Sequence, residues 1–109
     1  MRLTVFLLLK AAPAWLRLQR EERFRVAEAA FATAFKTSTL RLRYFDSEAF
    51  SSRVSDVAML EADDLEAYYF AIERLRDTPL LSHPFFEIVE VIPALENGHQ
   101  AFEAAEARG

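Results

Sequence analysis

Seven residues near the start of the chain, Leu3–Leu9 (LTVFLLL), restrict the choice of fold more than any other stretch. The run is too short and too uniformly apolar for an amphipathic helix. As a strand it turns Val5, Leu7 and Leu9 to one side and Phe6 and Leu8 to the other, so both faces require cover. The alternative of a secretory leader fits poorly: Lys10 ends the apolar run early, and Pro13 is an awkward neighbour for a cleavage site in Ala12-Pro13-Ala14. No run approaches transmembrane length.

The remaining elements follow from local pattern. Pro13 suits the first position of a short helical turn carrying Trp15, Leu16 and Leu18. Arg20–Glu22 opens a long helix with Phe24, Ala27, Phe31, Ala34 and Phe35 at helical spacing, and no good N-cap precedes it. Thr39–Asp46 and Arg53–Glu61 read as strands. Asp63 is the expected cap of a second helix, with Glu66 three residues on and Leu65, Tyr68, Tyr69, Ile72 and Leu75 as its apolar face. Thr78-Pro79 ends that helix and begins a short turn, Pro79–Ser82. Phe85–Ile92 is the fourth strand, which Pro93 is expected to stop. Asn97-Gly98 then turns into a helical or frayed tail over about residues 99–109.

The order β-α-β-β-α-β defines an α+β class: a single ferredoxin-like domain over residues 1–109, with a four-stranded antiparallel sheet in the order 4-1-3-2 and both helices on one face. The first strand is then central, and two helices cover only one of its apolar faces. A second copy of the chain is the simplest cover for the other, which predicts a homodimer of the dimeric α/β-barrel type.

Composition narrows the function classes. The 109 residues contain no cysteine, which removes disulfide and thiolate chemistry and fits a cytoplasmic location. With two histidines, no metal site is expected, and no cofactor is expected either. A net charge of −4 argues against nucleic acid or an anionic membrane as partner. No phosphate-binding glycine loop is present.

A symmetric turn in the central hairpin would pair Asp46 with Arg53 and set Arg43 opposite Asp56, Arg41 opposite Ala58 and Leu42 opposite Val57. Leu40, Leu42, Val57 and Met59 would then lie under the helices, while Arg41, Arg43 and Asp56 would face a cleft on the open side of the sheet. Arg43–Asp56 reads either as a structural cross-strand pair or as an arginine binding an anion or carbonyl oxygen, oriented by Asp56. The topology also gathers Lys10, Trp15, Asp46, Glu48, Arg53 and His83 at one sheet edge. Arg43, Asp56 and His83 are thus the catalytic candidates, and Trp15, Arg41, Arg43 and Asp56 the ligand-binding ones. A lone histidine in such a loop is commonly a turn residue, and a lone tryptophan commonly packs.

The segments RYFDSEAFSSRVSDV (Arg43–Val57), LRDTPLLSHPFFEIVEVIPALENG (Leu75–Gly98) and VFLLLKAAPAWLRLQREER (Val5–Arg23) together resemble the darcynin family of small bacterial proteins. The resemblance implies the ferredoxin-like, dimeric α/β-barrel fold and carries no established activity; this chain has Ala58 where it implies an aromatic. Dimeric α/β barrels include cofactor-free monooxygenases, haem enzymes and small-ligand isomerases, but fold does not fix chemistry. His83, in a loop, is a poor axial ligand for haem. Two expectations follow: a homodimer binding a small, carbonyl-containing or aromatic molecule, with cofactor-free oxygenation or isomerisation if it is an enzyme, or a non-catalytic dimer that binds another protein.

Overall fold

The computed structural model describes residues 2–36 and 39–109. Four strands, β1 (Leu3–Ala11), β2 (Arg41–Asp46), β3 (Asp56–Ala62) and β4 (Phe86–Ala94), form one antiparallel sheet in the order β2-β3-β1-β4. This is the predicted 4-1-3-2 arrangement read from the other edge. Helices α1 (Pro13–Leu16), α2 (Arg20–Ala34), α3 (Leu65–Arg76), α4 (Pro79–Ser82) and α5 (Gly98–Ala107) complete the chain.

Strand alternation places the core. Val5, Leu7 and Leu9 of β1 and Ala58 and Leu60 of β3 are buried against Ala30 and Ala34 of α2, Ile72 and Leu75 of α3 and Leu80 of α4. The inward faces of the helices differ from the sequence expectation. Phe24 is 66% exposed, as are Leu65 (70%) and Tyr69 (56%), and the small residues Ala30, Ala34 and Ala71 take the tightest positions instead. Small side chains let the two helices approach the sheet and each other, which bulky aromatics at those sites would prevent. The cap of α3 also moves by one residue: Asp64 accepts the Ala67 N–H at 2.7 Å, while Asp63 pairs with Arg2 at 3.7 Å.

Two features of β4 depart from simple alternation. Pro93 does not end the strand but pairs with Val5, because β4 is an edge strand and a missing N–H there leaves no partner unsatisfied. Between Leu8 and Leu9 the register with β1 shifts: Leu8 faces Glu90 and Leu9 faces Ile88, leaving Val89 as the extra residue of a bulge. The shift puts Phe86 and Ile88 on the helix side and both Glu87 and Glu90 on the open side. Without it, Glu90 would share the helix side with Ile88.

Helix α5 stands clear of this body. None of its residues is buried, none belongs to the core, and Phe102 is 61% exposed. The radius of gyration, 16.0 Å, exceeds the roughly 13 Å of a compact chain this long. No helix among the described residues is long and apolar enough to cross a membrane.

Candidate functional site

The hairpin joining β2 and β3 is asymmetric, and this decides which residues meet. The Ser47 N–H donates to the Ser55 carbonyl at 2.8 Å, and the Ser51 hydroxyl accepts from the Arg53 and Val54 N–H groups at 3.2 and 3.1 Å. Val54 is buried, anchoring the returning arm. Arg53, Val54 and Ser55 therefore belong to the loop, so Asp46 faces Asp56 rather than Arg53. The register differs by three residues from that of a symmetric turn. An odd shift exchanges the two faces of one strand relative to the other.

The Arg43–Asp56 pair expected from the sequence is accordingly not formed. Arg43 lies opposite Met59 on the open face, its guanidinium carbon 5.3 Å from the Phe45 ring centre. Arg41 lies opposite Glu61 on that same face, where Val57 and Met59 also sit rather than under the helices. Asp56 instead shares the helix side with Leu42, Tyr44, Asp46 and Leu60. His83 is exposed at the end of α4, its ring stacked on Phe85 with centroids 4.1 Å apart, and it does not line the cavity described next.

That cavity, of about 310 Å³, lies between the sheet and helices α2, α3 and α4. Its floor is Leu7, Leu9, Ala58 and Leu60 from the central strands, with Leu42 and Tyr44 from β2. Its roof includes Ala27, Phe31 and Phe35 along α2, with Leu75, Leu80 and Leu81 behind. Trp15 and Phe86 close one side, their ring centres 4.9 Å apart and tilted at 56°. Asp46, Asp56 and the Tyr44 hydroxyl are its polar end.

Asp56 and Trp15 are each held by a traceable device. The Ser55 hydroxyl accepts the Ala11 N–H at 2.7 Å and donates to Asp56 Oδ2 at 2.8 Å, while the Ser55 N–H donates to the Leu9 carbonyl at 2.8 Å. One serine thus ties β1, the hairpin and Asp56 together. Arg23 of α2 secures Trp15: its Nε donates to the Trp15 and Leu18 carbonyls, both at 3.1 Å, and its Nη2 to the Leu16 carbonyl at 2.7 Å. The turn carrying the indole is clamped through its own carbonyls, that of Trp15 also accepting the Leu18 N–H at 3.1 Å.

Electrostatics at this end run one way. Burial first, then the neighbouring Asp46 and Glu48 charges, hold the Asp56 carboxyl above its ordinary 3.8, against the lowering effect of the Ser55 hydrogen bond. Burial, followed by the Asp56 and Asp46 charges, pushes the Tyr44 hydroxyl far above the usual tyrosine range.

Of the sequence-derived candidates, Trp15 and Asp56 meet in this cavity, joined by Asp46 from the same predicted edge cluster. Arg41, Arg43 and His83 do not. Ser55, Arg23, Tyr44 and the Phe31–Phe35 wall escaped the sequence reading. The period of α2 marked the two phenylalanines as apolar and inward, but nothing marked the space in front of them. Among the described residues, no three His, Cys, Asp or Glu side chains are grouped to hold a metal ion.

This is a ferredoxin-like sheet with a cavity on its helix side, and solved chlorite dismutases share the architecture. A putative chlorite dismutase superposes with a TM-score of 0.72 at 16% identity, over 85% of this chain and 42% of that one. The chlorite dismutase of Candidatus Nitrospira defluvii in complex with imidazole gives 0.71 at 12% identity, over 84% and 38%. The chain spans about two-fifths of those proteins, and at such identities the likeness is one of fold. The chain belongs to the Darcynin family, a domain of unknown function whose family model matches residues 1–107. Darcynin 1 of Acinetobacter baumannii is 39% identical over 88 residues, which is 80% of this chain and 98% of that one. The darcynin of Chromobacterium violaceum is 51% identical over 65 residues, covering 60% and 82% respectively.

Proposed function

We propose that this darcynin is a homodimeric small-molecule-binding protein whose ligand occupies the cavity between the sheet and the helices. The observation that carries this reading is the cavity itself. It is of ligand-pocket size, near the roughly 300 Å³ lower bound of such sites, and combines an apolar wall with a few convergent polar groups. A well-packed interior leaves few voids larger than a water molecule, so a space this large beside two carboxylates is poorly explained by packing alone. The site moves from the open sheet face to the helix face, and the arginine is replaced by Tyr44, Asp46 and Asp56 as its polar contacts. With no cysteine to protect or pair, we place the protein in the cytoplasm.

The dimer rests on the open face. Phe6, Leu8, Val57 and Met59 occupy its centre, with Phe45 (43% exposed) and Ile92 (39% exposed) beside them. Arg43 on β2 and Glu90 on β4 stand at opposite edges of this face, each with an apolar residue directly opposite in the adjoining strand. A two-fold axis running along the central strands would bring each to the other's edge, which suits a second copy of the same chain.

The cavity reading is tested by native mass spectrometry of protein purified from its own host, beside Ala27→Trp, which fills the space from α2. A retained small molecule in the wild type that is lost from a folded Ala27→Trp supports the reading. Equal retention in both overturns it.

A further inference from the structure

We propose that the cavity selects an organic ammonium ion, a ring-sized apolar molecule carrying one protonated amine, with its ring among Trp15, Phe31 and Phe35 and its ammonium at Asp46 and Asp56. This rests on the cavity being a ligand site and adds the charge of what enters. Among the described residues, the lining contains two carboxylates and a phenol but no lysine, arginine or histidine. The register turns Arg41 and Arg43 to the opposite face of the sheet, so neither reaches in as a counter-charge. Asp46 and Asp56 are directly opposed on neighbouring strands, where like charges repel. A cation from outside the chain relieves that repulsion, whereas an anion adds to it.

A second feature, independent of the carboxylates, favours the same class. Aromatic rings line the cavity, with Phe31 and Phe35 stacked at 5.7 Å and Phe31 tilted against Tyr44 at 6.4 Å. Ring faces attract cations, and the Tyr44 ring lies beside Asp56 at the carboxylate end of the cavity. A divalent metal is served less well: the lining offers no histidine or cysteine for a transition metal, and magnesium or calcium would take most of its oxygens from water. The apolar wall would also be left without a role.

The test is a titration of the full chain, by calorimetry and by Trp15 fluorescence, with 2-phenylethylamine, 2-phenylethanol and phenylacetate at neutral pH. The amine is expected to bind about tenfold more tightly than the alcohol, the size of one charge-assisted hydrogen bond, and phenylacetate most weakly. D46N, D56N and the double variant are carried together, so that at least one folded variant reports. Each should lessen the preference for amine over alcohol, through a loss of affinity larger for the amine than for the alcohol. Alcohol or phenylacetate binding as tightly as the amine overturns the charge class and leaves the cavity reading standing. An amine preference that survives in the folded variants overturns the assignment to Asp46 and Asp56. Binding of none of the three to the wild type overturns the cavity reading and the charge class with it.

Discussion

Asp46 and Asp56 face each other across β2 and β3, two carboxylates on one side of the sheet at the end of an apolar cavity. With Asp56 held above its ordinary 3.8, the folded state binds a proton there more tightly than the unfolded chain does. Stability from this group is therefore fully present below about pH 3.8 and is lost as pH rises through the raised value. Subtracting the denaturation profile of Asp56→Asn from that of the wild type should leave a difference that falls with pH across this window. Asp56→Asn should also be the more stable protein at neutral pH. A flat difference would remove the electrostatic account of the site.

Ser55 offers a test of the hairpin. Ser55→Ala removes the acceptor of the Ala11 N–H and the donor to Asp56, and leaves a partly buried N–H without its partner. Urea denaturation should show a loss of about 1–3 kcal/mol. Ser52→Ala, on an exposed neighbour in the same loop, should change stability by less than about 0.5 kcal/mol.

The single tryptophan makes the cavity wall spectroscopically visible. Arg23→Ala releases three carbonyls around Trp15, so its emission should shift to the red and become more accessible to acrylamide. Arg23→Lys should restore the wild-type spectrum incompletely, because an ammonium cannot reproduce the planar fork that spans these carbonyls. An unchanged spectrum in Arg23→Ala would mean that Phe85 and Phe86 hold the indole unaided.

Light scattering at micromolar concentration should show a dimer. Arg43→Glu or Glu90→Arg alone should shift it toward monomer by placing like charges together across the two-fold axis. The double variant should recover much of the association, since it restores opposite signs. A wild-type monomer overturns the dimer, and a double variant weaker than both singles overturns this facing of the two edges.

Most of the element order was legible in the sequence because it rests on local pattern. The doubly apolar Leu3–Leu9, the helix begun by Arg20–Glu22 and the Thr78-Pro79 break all lie where the structure has them. The site was less legible because a three-residue difference in the β2–β3 loop exchanged faces. That difference comes from hydrogen bonds of Ser47, Ser51 and Ser55, whose hydroxyls and amides have no periodicity to reveal them. On the helix faces hydrophobicity does not coincide with burial: Phe24 and Tyr69 point outward, and alanines fill the close approaches. Cavities leave little trace in sequence, since the residues that surround a space resemble those that fill one.

The bulge at Val89 has an evolutionary consequence. Parity within β4 survives the loss of Val89, which would leave Ile88 opposite Leu9 and Glu90 opposite Leu8 in plain alternation, but not the loss of one residue from a regular part of the strand. The loop from Ser47 to Ser55 answers to no such parity at its tip, where Phe50 is 91% exposed. Across the darcynins, changes in chain length are therefore expected at that tip and, between Phe86 and Pro93, as the gain or loss of the one bulged residue, with the faces of β4 unchanged on either side of it.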